Sequence, residues 1–253
     1  MELLSAAVLT VLAFLSSVVG AIIGAGGGFV YTPLLILMGY SPKEAVSTSL
    51  VMVFFNSVSA SYVYHRQGRM KIRDSIWLGL ATLPGAVLGY AVLASVNINL
   101  FRLIFGLFMT AVSSYLLVRL VKNNQAKERQ NAEVNVRKTI LLSPLIGMLA
   151  GLFGIGGGIL MAPALIHMAV PTHTATAVSQ FITIFSSSSA LLIISANSPP
   201  PLVLAVLVAV AGLVGGQVGA VISRSLRAKI IRAVIVAAFM VVGVNMLLRS
   251  GFL

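Results

Sequence analysis

A glycine-rich stretch occurs twice in this chain, each time inside sequence that is otherwise long and apolar. The first copy, GAGGGFVYTPLLILMG, begins at Gly24, and the second, GIGGGILMAPALIHMA, begins at Gly154. Consecutive glycines loosen a helix, and backbone groups left unpaired in lipid are costly. Each stretch therefore predicts a break in a helix, and the chain must fold so that two such breaks are accommodated.

The two copies belong to a repeat that runs through the whole chain. When the sequence is shifted by 130 residues, glycine, proline and arginine stay in register without a gap. The matching pairs include Gly24/Gly154, Gly26/Gly156, Gly27/Gly157, Gly28/Gly158, Pro33/Pro163, Ser49/Ser179, Phe55/Phe185, Gly85/Gly215, Gly89/Gly219 and Arg102/Arg232. Chance matching of apolar residues would not keep these types aligned, so the pattern indicates an internal duplication, as is common in membrane transporters.

Apolar segments of helical length dominate the sequence between these landmarks. Charged residues make up 9% of the chain, against about 25% in a soluble domain. The predicted helical segments are 3–23, 29–39, 44–64, 74–94, 99–121, 139–153, 159–169, 174–195, 201–222 and 229–249. The pattern predicts an all-α, polytopic transmembrane bundle, in which 29–39 and 159–169 are half-spans at most because a span needs about 20 residues. Segment 3–23 lacks the basic start and cleavage site of a signal peptide, so it is expected to be part of the fold.

The positions of the basic residues predict how the two halves are oriented. We divide the chain into an N-terminal transmembrane repeat (1–121), a polar linker (122–138) and a C-terminal transmembrane repeat (139–253). Basic residues cluster in 65–73, 122–138 and 223–232, and basic loops favour the cytoplasmic side. Placing all three there makes the repeats inverted. Each glycine stretch then lies in a re-entrant hairpin or a broken helix, although segment 3–23 is also long enough to cross fully before a half-length return.

Charge and residue types exclude several other classes of protein. The net charge of +12 is explained by basic loops that meet anionic lipid heads, and no nucleic-acid-binding motif is present. The chain has no cysteine, and its five acidic residues all fall at termini, loops or segment edges. No acid–base pair, catalytic triad or ligand cluster is visible, so we expect no enzyme, no metal site and no cofactor.

The glycine stretches predict where a small anion would bind. A helix that starts just after three glycines has unpaired N–H groups and partial positive charge at its first turn. The predicted substrate-binding residues are Gly26, Gly27, Gly28, Ser49, Asn56, Gly156, Gly157, Gly158, Ser179 and Gln180, and the predicted helix breaks are Gly24, Pro33, Gly154 and Pro163. Single serines also bond commonly to their own helix, and the spacing of Gly85 with Gly89 is typical of helix packing.

The doubled pattern of GAGGG…SPKEAVSTSL and GIGGG…PTHTATAVSQF resembles the TauE/SafE family of sulfite exporters. The resemblance implies a multi-pass protein of the plasma (inner) membrane that moves sulfite or a small organosulfonate such as sulfoacetate, with export as the expected direction. The expected partners are a small anionic substrate and the lipid bilayer; a homodimer is compatible with the sequence, and nucleic acid is not expected. The alternative from a different class is a membrane scaffold or partner subunit, in which the glycines only pack helices.

Overall fold

The protein is a bundle of α-helices, seen in a computed structural model that describes residues 3–93, 95–121, 134, 136–197 and 200–251. Within these ranges ten helices and no strand are present, which confirms the predicted all-α class. The helices are α1 (Leu3–Ile23), α2 (Gly28–Leu37), α3 (Pro42–Arg66), α4 (Ile72–Leu93), α5 (Ile98–Val121), α6 (Val136–Phe153), α7 (Gly158–His167), α8 (Thr172–Asn197), α9 (Leu202–Ser225) and α10 (Ala228–Leu248). Most of the predicted linker, residues 122–133 and 135, lies outside the described residues.

Six of the described helices are long and apolar enough to cross a membrane. The candidate spans are Ala6–Ile23, Pro42–Arg66, Ser75–Leu93, Ile98–Val118, Leu202–Ser225 and Ala228–Leu248. Large apolar side chains also cover the outside of the bundle; Leu141 is 80% exposed and Leu202 is 78% exposed. An apolar exterior of this kind suits a hydrocarbon solvent, so the predicted polytopic membrane fold is confirmed.

The two helices that follow the glycine stretches are short, as predicted. Helices α2 and α7 contain 10 residues each, which is about 15 Å of helix. Helix α1 has its full 21 residues, and the hydroxyl of Tyr31 on α2 donates to the carbonyl of Leu9 at 3.3 Å. The N-terminal segment is therefore a full-length helix followed by a half-length helix that folds back against it.

Close contacts between glycines and neighbouring carbonyls define the helix pairs. A Cβ atom on Gly85 or Gly89 of α4 would overlap the carbonyl of Pro144 or Met148 of α6. Matching glycines on α9 lie against α1 in the same way; Gly219 contacts the carbonyl of Val18. Both pairs run parallel, because residue numbers rise together along the contact. These glycines therefore pack helices, as their spacing predicted.

Helices that correspond in the repeat pack antiparallel to each other. Helix α5 runs antiparallel to α10, since Arg102 donates to the carbonyl of Arg249 at 3.2 Å and Ser113 to that of Val236 at 2.8 Å. Helix α3 is antiparallel to α8, because Gln180 on α8 reaches Ser57 on α3 while Arg69, just beyond the end of α3, reaches Thr176 near the start of α8. The α3–α8 pair lies at the centre of the bundle, where it holds both glycine stretches.

Two of the basic segments, 65–73 and 223–232, lie at one end of the bundle, which we call the basic end. Arg69 from the first segment donates to the hydroxyl of Ser223 from the second at 3.2 Å. The start of α8 lies at this end as well, because Arg232 donates to the hydroxyl of Thr172 at 2.9 Å. Arg102, which matches Arg232 in the repeat, lies at the other end of the bundle with Arg249.

Candidate functional site

The two glycine stretches lie side by side between α3 and α8. We call residues 24–28 the first glycine turn and residues 154–158 the second glycine turn. A Cβ atom on Gly28 would overlap the carbonyl oxygen of Gly154, and one on Gly158 would overlap that of Gly24. The two turns therefore run in opposite directions, with the start of each against the end of the other. The sequence predicted both breaks, and the structure brings them into direct contact.

Glycine is required in both turns by backbone conformation as well as by space. Gly26 has a φ of 73° and its counterpart Gly156 a φ of 68°, which is the left-handed region that side chains disfavour. Val53 of α3 and Thr183 of α8, themselves a repeat pair, both lie against Gly26 and against Gly156. A side chain at either glycine would therefore collide with the side chain of Val53 or Thr183.

Gln180 and Asn56 link the first glycine turn to α1 and α3. The N–H of Gly26 donates to Oε1 of Gln180 at 3.2 Å, and Nε2 of Gln180 donates to Oδ1 of Asn56 at 2.5 Å. Nδ2 of Asn56 in turn donates to the carbonyl of Ser17 at 2.9 Å. Both amides are fully buried, so the structure brings together these two predicted site residues and gives each a partner inside the bundle.

The second glycine turn has its helix start capped by side chains. The N–H of Gly157 donates to Oγ of Ser186 at 2.9 Å, and the N–H of Gly158 donates to Oγ1 of Thr183 at 2.8 Å. The sequence pattern did not single out these two hydroxyls as site residues. They satisfy two of the free donors that every helix start leaves behind.

The first glycine turn lacks this capping. The residues that match Thr183 and Ser186 are Val53, which cannot accept a hydrogen bond, and Asn56, whose oxygen already accepts from Gln180. Among the described residues, nothing accepts from the N–H groups of Gly27 and Gly28. The start of α2 is thus the half of the site with unpaired donors, and those donors carry the partial positive charge of a helix N-terminus.

The paired serines of the site differ in the same way. Ser49 donates to the carbonyl of Gly154 at 3.1 Å. Its counterpart Ser179 is fully buried, and its hydroxyl has no hydrogen-bond partner in the described part of the protein. A buried hydroxyl without a partner is uncommon and needs an explanation. Both serines lie on the two helices that enclose the glycine turns, where the sequence predicted them.

No described carboxylate approaches the glycine turns. Glu44 is the acidic residue whose side chain the structure describes, and it caps the exposed start of α3, where its Oε2 accepts from the N–H of Ser41 at 3.0 Å. Around the two turns the described polar groups are hydroxyls, side-chain amides, and backbone N–H and carbonyl groups. This environment offers hydrogen-bond donors to an anion and no competing negative charge.

Comparison with known proteins identifies relatives along nearly the whole chain. The family model described as Sulfite exporter TauE/SafE matches residues 9–246. The probable membrane transporter protein YunE of Bacillus subtilis is 26% identical over 98% of this chain and 100% of its own length. The probable membrane transporter protein MJ0441 of Methanocaldococcus jannaschii is 27% identical over 95% of this chain and 94% of its own. No solved structure matches.

Proposed function

Because the chain belongs to the TauE/SafE family, we propose that it is a secondary transporter of a small sulfur-containing oxyanion, working mainly in export. Sulfite and a sulfoacetate-like organosulfonate are the substrates proposed. The family model carries sulfite export in its description, and the curated relatives are described as probable membrane transporter proteins. The residues at the centre of the bundle then have to hold an anion in a dry setting.

The observation that carries the proposal is the contact between two glycine turns, of which the first has unpaired donors at the start of its helix. The N–H groups of Gly27 and Gly28 have no partner among the described residues, and the hydroxyl of Ser179 has none either. An anion bound here would be held by helix-start donors rather than by a buried lysine or arginine. The binding residues remain those predicted from sequence, with the first turn as the stronger half of the site.

We also propose that the two halves are inverted repeats, with the basic end in the cytoplasm. The antiparallel contacts of α3 with α8 and of α5 with α10 support this relation. The shared position of segments 65–73 and 223–232 supports the orientation, because basic loops favour the cytoplasm. A homodimer stays a prediction.

No described carboxylate lies near the site to bind a coupling cation, so we consider whether the membrane potential alone can drive transport of the anion. An inside-negative membrane favours the exit of each negative charge by about 2.3 kcal/mol per 100 mV. Export of an anion needs no coupling ion under that field, whereas import would need one. Transport in the export direction is therefore the proposal that the chemistry of the site supports best.

Sulfite efflux from liposomes tests this function. We expect an imposed inside-negative potential to accelerate efflux, and slower efflux under that potential would contradict the export mechanism. Ser179→Ala is the informative variant because the Ser179 hydroxyl has no hydrogen bond to lose. We expect it to raise KM by about tenfold, the loss of one hydrogen bond to a charged ligand, with unchanged stability.

The matched control is Ser61→Ala on α3. Ser61 is also buried, and its hydroxyl is also without a partner in the described structure, but it lies two helical turns along α3 from Val53, which packs against both glycine turns. We expect wild-type transport from this control. If Ser179→Ala and Ser61→Ala behave alike, Ser179 does not contact the anion. If wild-type liposomes release neither sulfite nor sulfoacetate, the scaffold alternative replaces the transporter.

A further inference from the structure

Arg69 ties the end of α3 to the other half of the chain at the basic end. Its Nη2 lies 3.2 Å from the carbonyl of His173, 3.2 Å from the hydroxyl of Thr176 and 3.2 Å from the hydroxyl of Ser223. It also lies 3.0 Å from Nδ1 of His173, which must accept because arginine has only donors. Four neutral acceptors thus share the two hydrogens of one nitrogen.

The charge of Arg69 has no negative partner in the described part of the protein. The guanidinium lies over the ring of Tyr64, 4.3 Å from its centroid, and Nη1 donates to Oε1 of Gln67 at 3.1 Å. Nε is buried without a partner. Burial lowers the pKa of Arg69 from its usual value, yet an arginine side chain stays charged at physiological pH. The result is a partly desolvated cation whose described hydrogen-bond partners are all neutral.

Thr176 connects this cation to the first glycine turn. The hydroxyl of Thr176 accepts from Arg69, and the backbone of Thr176 lies directly against Gly24. The hydroxyl of Tyr64, whose ring lies beneath the guanidinium, donates to the carbonyl of Ala21. An anion that moved between the basic end and the glycine turns would meet Arg69 first.

The corresponding positions in the repeat do not reproduce this cluster. In the sequence, the residues that match Tyr64, Arg69, Thr176 and Ser223 are Ile194, Pro199, Val46 and Leu93, whereas Gln67 and His173 match Asn197 and Lys43. The arginine, the tyrosine and the two hydroxyl groups on α8 and α9 therefore have apolar counterparts in the repeat. A cation with hydroxyl partners that the duplication has not kept at both sets of positions points to a role beyond packing.

We propose that Arg69 forms an oxyanion-binding site at the basic end, where it captures the substrate before the substrate reaches the glycine turns. The inference rests on the proposed function. Two oxygens of a sulfite or sulfonate group match the planar donor pair of a guanidinium. An anion bound there replaces the neutral acceptors on α8 and α9. Capture therefore also releases the end of α3 from the other half of the chain.

Anion-dependent thermal stabilisation of the purified protein tests the site without requiring transport. Sulfite would be titrated at constant ionic strength against the wild type, Arg69→Gln, Arg69→Lys and the control Arg66→Gln. Arg66 is exposed and lies on the same segment. We expect saturable stabilisation of the wild type and of Arg66→Gln, and an apparent Kd about tenfold weaker in Arg69→Gln. Arg69→Lys keeps the positive charge but loses the planar pair of donors, so its affinity for sulfite should lie between those of the wild type and Arg69→Gln.

The double variant Thr176→Val with Ser223→Leu provides a second measurement. It places at the basic end the residues found at the other end, and it removes two neutral acceptors while leaving Arg69 in place. We expect sulfite to bind this variant at least as tightly as the wild type. If Arg69 were only a structural tie, Arg69→Gln and the double variant would both lose stability, with no change in sulfite affinity.

The outcomes separate this inference from the proposed function. Equal stabilisation by sulfite in all variants, or none in the wild type, would overturn the Arg69 site. A wild type that binds sulfite through Arg69 but releases no sulfur oxyanion from liposomes would overturn the transport proposal and leave the site standing. In transport, loss of capture should raise KM for anion supplied at the basic end more than it lowers kcat.

Discussion

The side-chain amide of Gln180 holds the first glycine turn in place through two buried hydrogen bonds. Gln180→Leu, which introduces the residue found at the matching position 50, leaves the N–H of Gly26 and Oδ1 of Asn56 without their partner. Each stranded buried group costs about 1–3 kcal/mol. We therefore expect the free energy of unfolding to fall by about 2 kcal/mol or more. Denaturant unfolding in detergent micelles measures this change.

Ser187→Ala is the control for that measurement. The Ser187 hydroxyl donates to the carbonyl of Thr183 within α8 at 2.6 Å, so the change removes a buried polar group without stranding a partner on another helix. We expect a change of less than about 0.5 kcal/mol. Equal unfolding midpoints for Gln180→Leu and Ser187→Ala would mean that the amide bonds contribute nothing to stability.

Two glycines in the turns should respond differently to the same substitution. A Cβ atom on Gly28 would overlap the carbonyl of Gly154 and lie 2.9 Å from Oγ of Ser49. A Cβ atom on Gly157 would meet Oγ of Ser186 at 3.1 Å, with its next contacts at 3.6 Å, and Gly157 has an ordinary φ of −65°. Gly28→Ala should cost about 1–3 kcal/mol or more, whereas Gly157→Ala should be tolerated.

Thermal melting of the two alanine variants side by side checks this expectation. A Gly28→Ala protein as stable as Gly157→Ala would show that the turns can separate without cost, and the close contact between them would then not hold the site together. Gly27 is unsuitable for such a comparison, because its φ is 88° and a Cβ atom there would overlap the carbonyl of Ser16.

Residue types at the site could be predicted from the sequence, but their partners could not. The sequence predicted Gly26, Asn56, Gln180, Ser49 and Ser179, because polar groups and glycine triplets inside a membrane helix are costly without a purpose. It treated Gly27 and Gly157 as equivalent. Their φ angles of 88° and −65° differ, and so do the side chains beside them: α3 has Val53 and Asn56 at the positions where α8 has the capping residues Thr183 and Ser186. Only the fold shows that these helix positions face the turns.

Individual helices were more predictable than side-chain contacts. The half-length segments 29–39 and 159–169 correspond to α2 (Gly28–Leu37) and α7 (Gly158–His167), because glycine clusters before the segments and turn residues after them are local signals. The choice between a shallow hairpin and a full-length α1 was not local. It depends on how α1 packs along α9, where Gly219 lies against Val18.

The pairing of α4 with α6 depends on small residues along both helices. Gly85 and Gly89 of α4 face carbonyls of α6, and Gly147 of α6 faces the carbonyl of Thr82. Helices in lipid associate through such close packing because burial of apolar surface gives no advantage there. Gly89→Val should separate α4 from α6 and lower the unfolding free energy by about 1–3 kcal/mol or more.

Leu88→Val is the matched control for the α4–α6 contact. Leu88 is the neighbouring residue and is 59% exposed on the outer surface, so the same new side chain there meets no other helix. We expect the melting temperature in detergent to fall for Gly89→Val and to stay near the wild-type value for Leu88→Val. If both variants have the same melting temperature, the backbone contact at Gly89 does not stabilise the packing of α4 against α6.

At the scale of the whole molecule, several contacts of a residue in the first half with one in the second half have a counterpart made by the matching residues of the two halves. Gly28 lies against the carbonyl of Gly154 as Gly158 lies against that of Gly24, and Gly85 lies against Pro144 as Gly215 lies against Phe14. Each pair of contacts is related by the 130-residue shift. The exchange is expected if a duplicated unit packs against its own copy through a pseudo-two-fold axis in the membrane plane. A two-fold axis in that plane would place matching residues on opposite sides of the bilayer.

Cysteine labelling of intact vesicles tests that consequence, and the natural chain has no cysteine to remove. His65→Cys and Ser225→Cys introduce exposed thiols at the basic end, and Lys43→Cys and Ser95→Cys introduce exposed thiols at the ends of helices away from it. A membrane-impermeant maleimide should label the first pair from the cytoplasmic face and the second pair from the outer face. The unsubstituted protein should stay unlabelled. Parallel repeats would instead put residues 65 and 225 on opposite faces, so labelling of these two from different sides would exclude the inverted arrangement and, with it, a binding site built from two opposed helix starts.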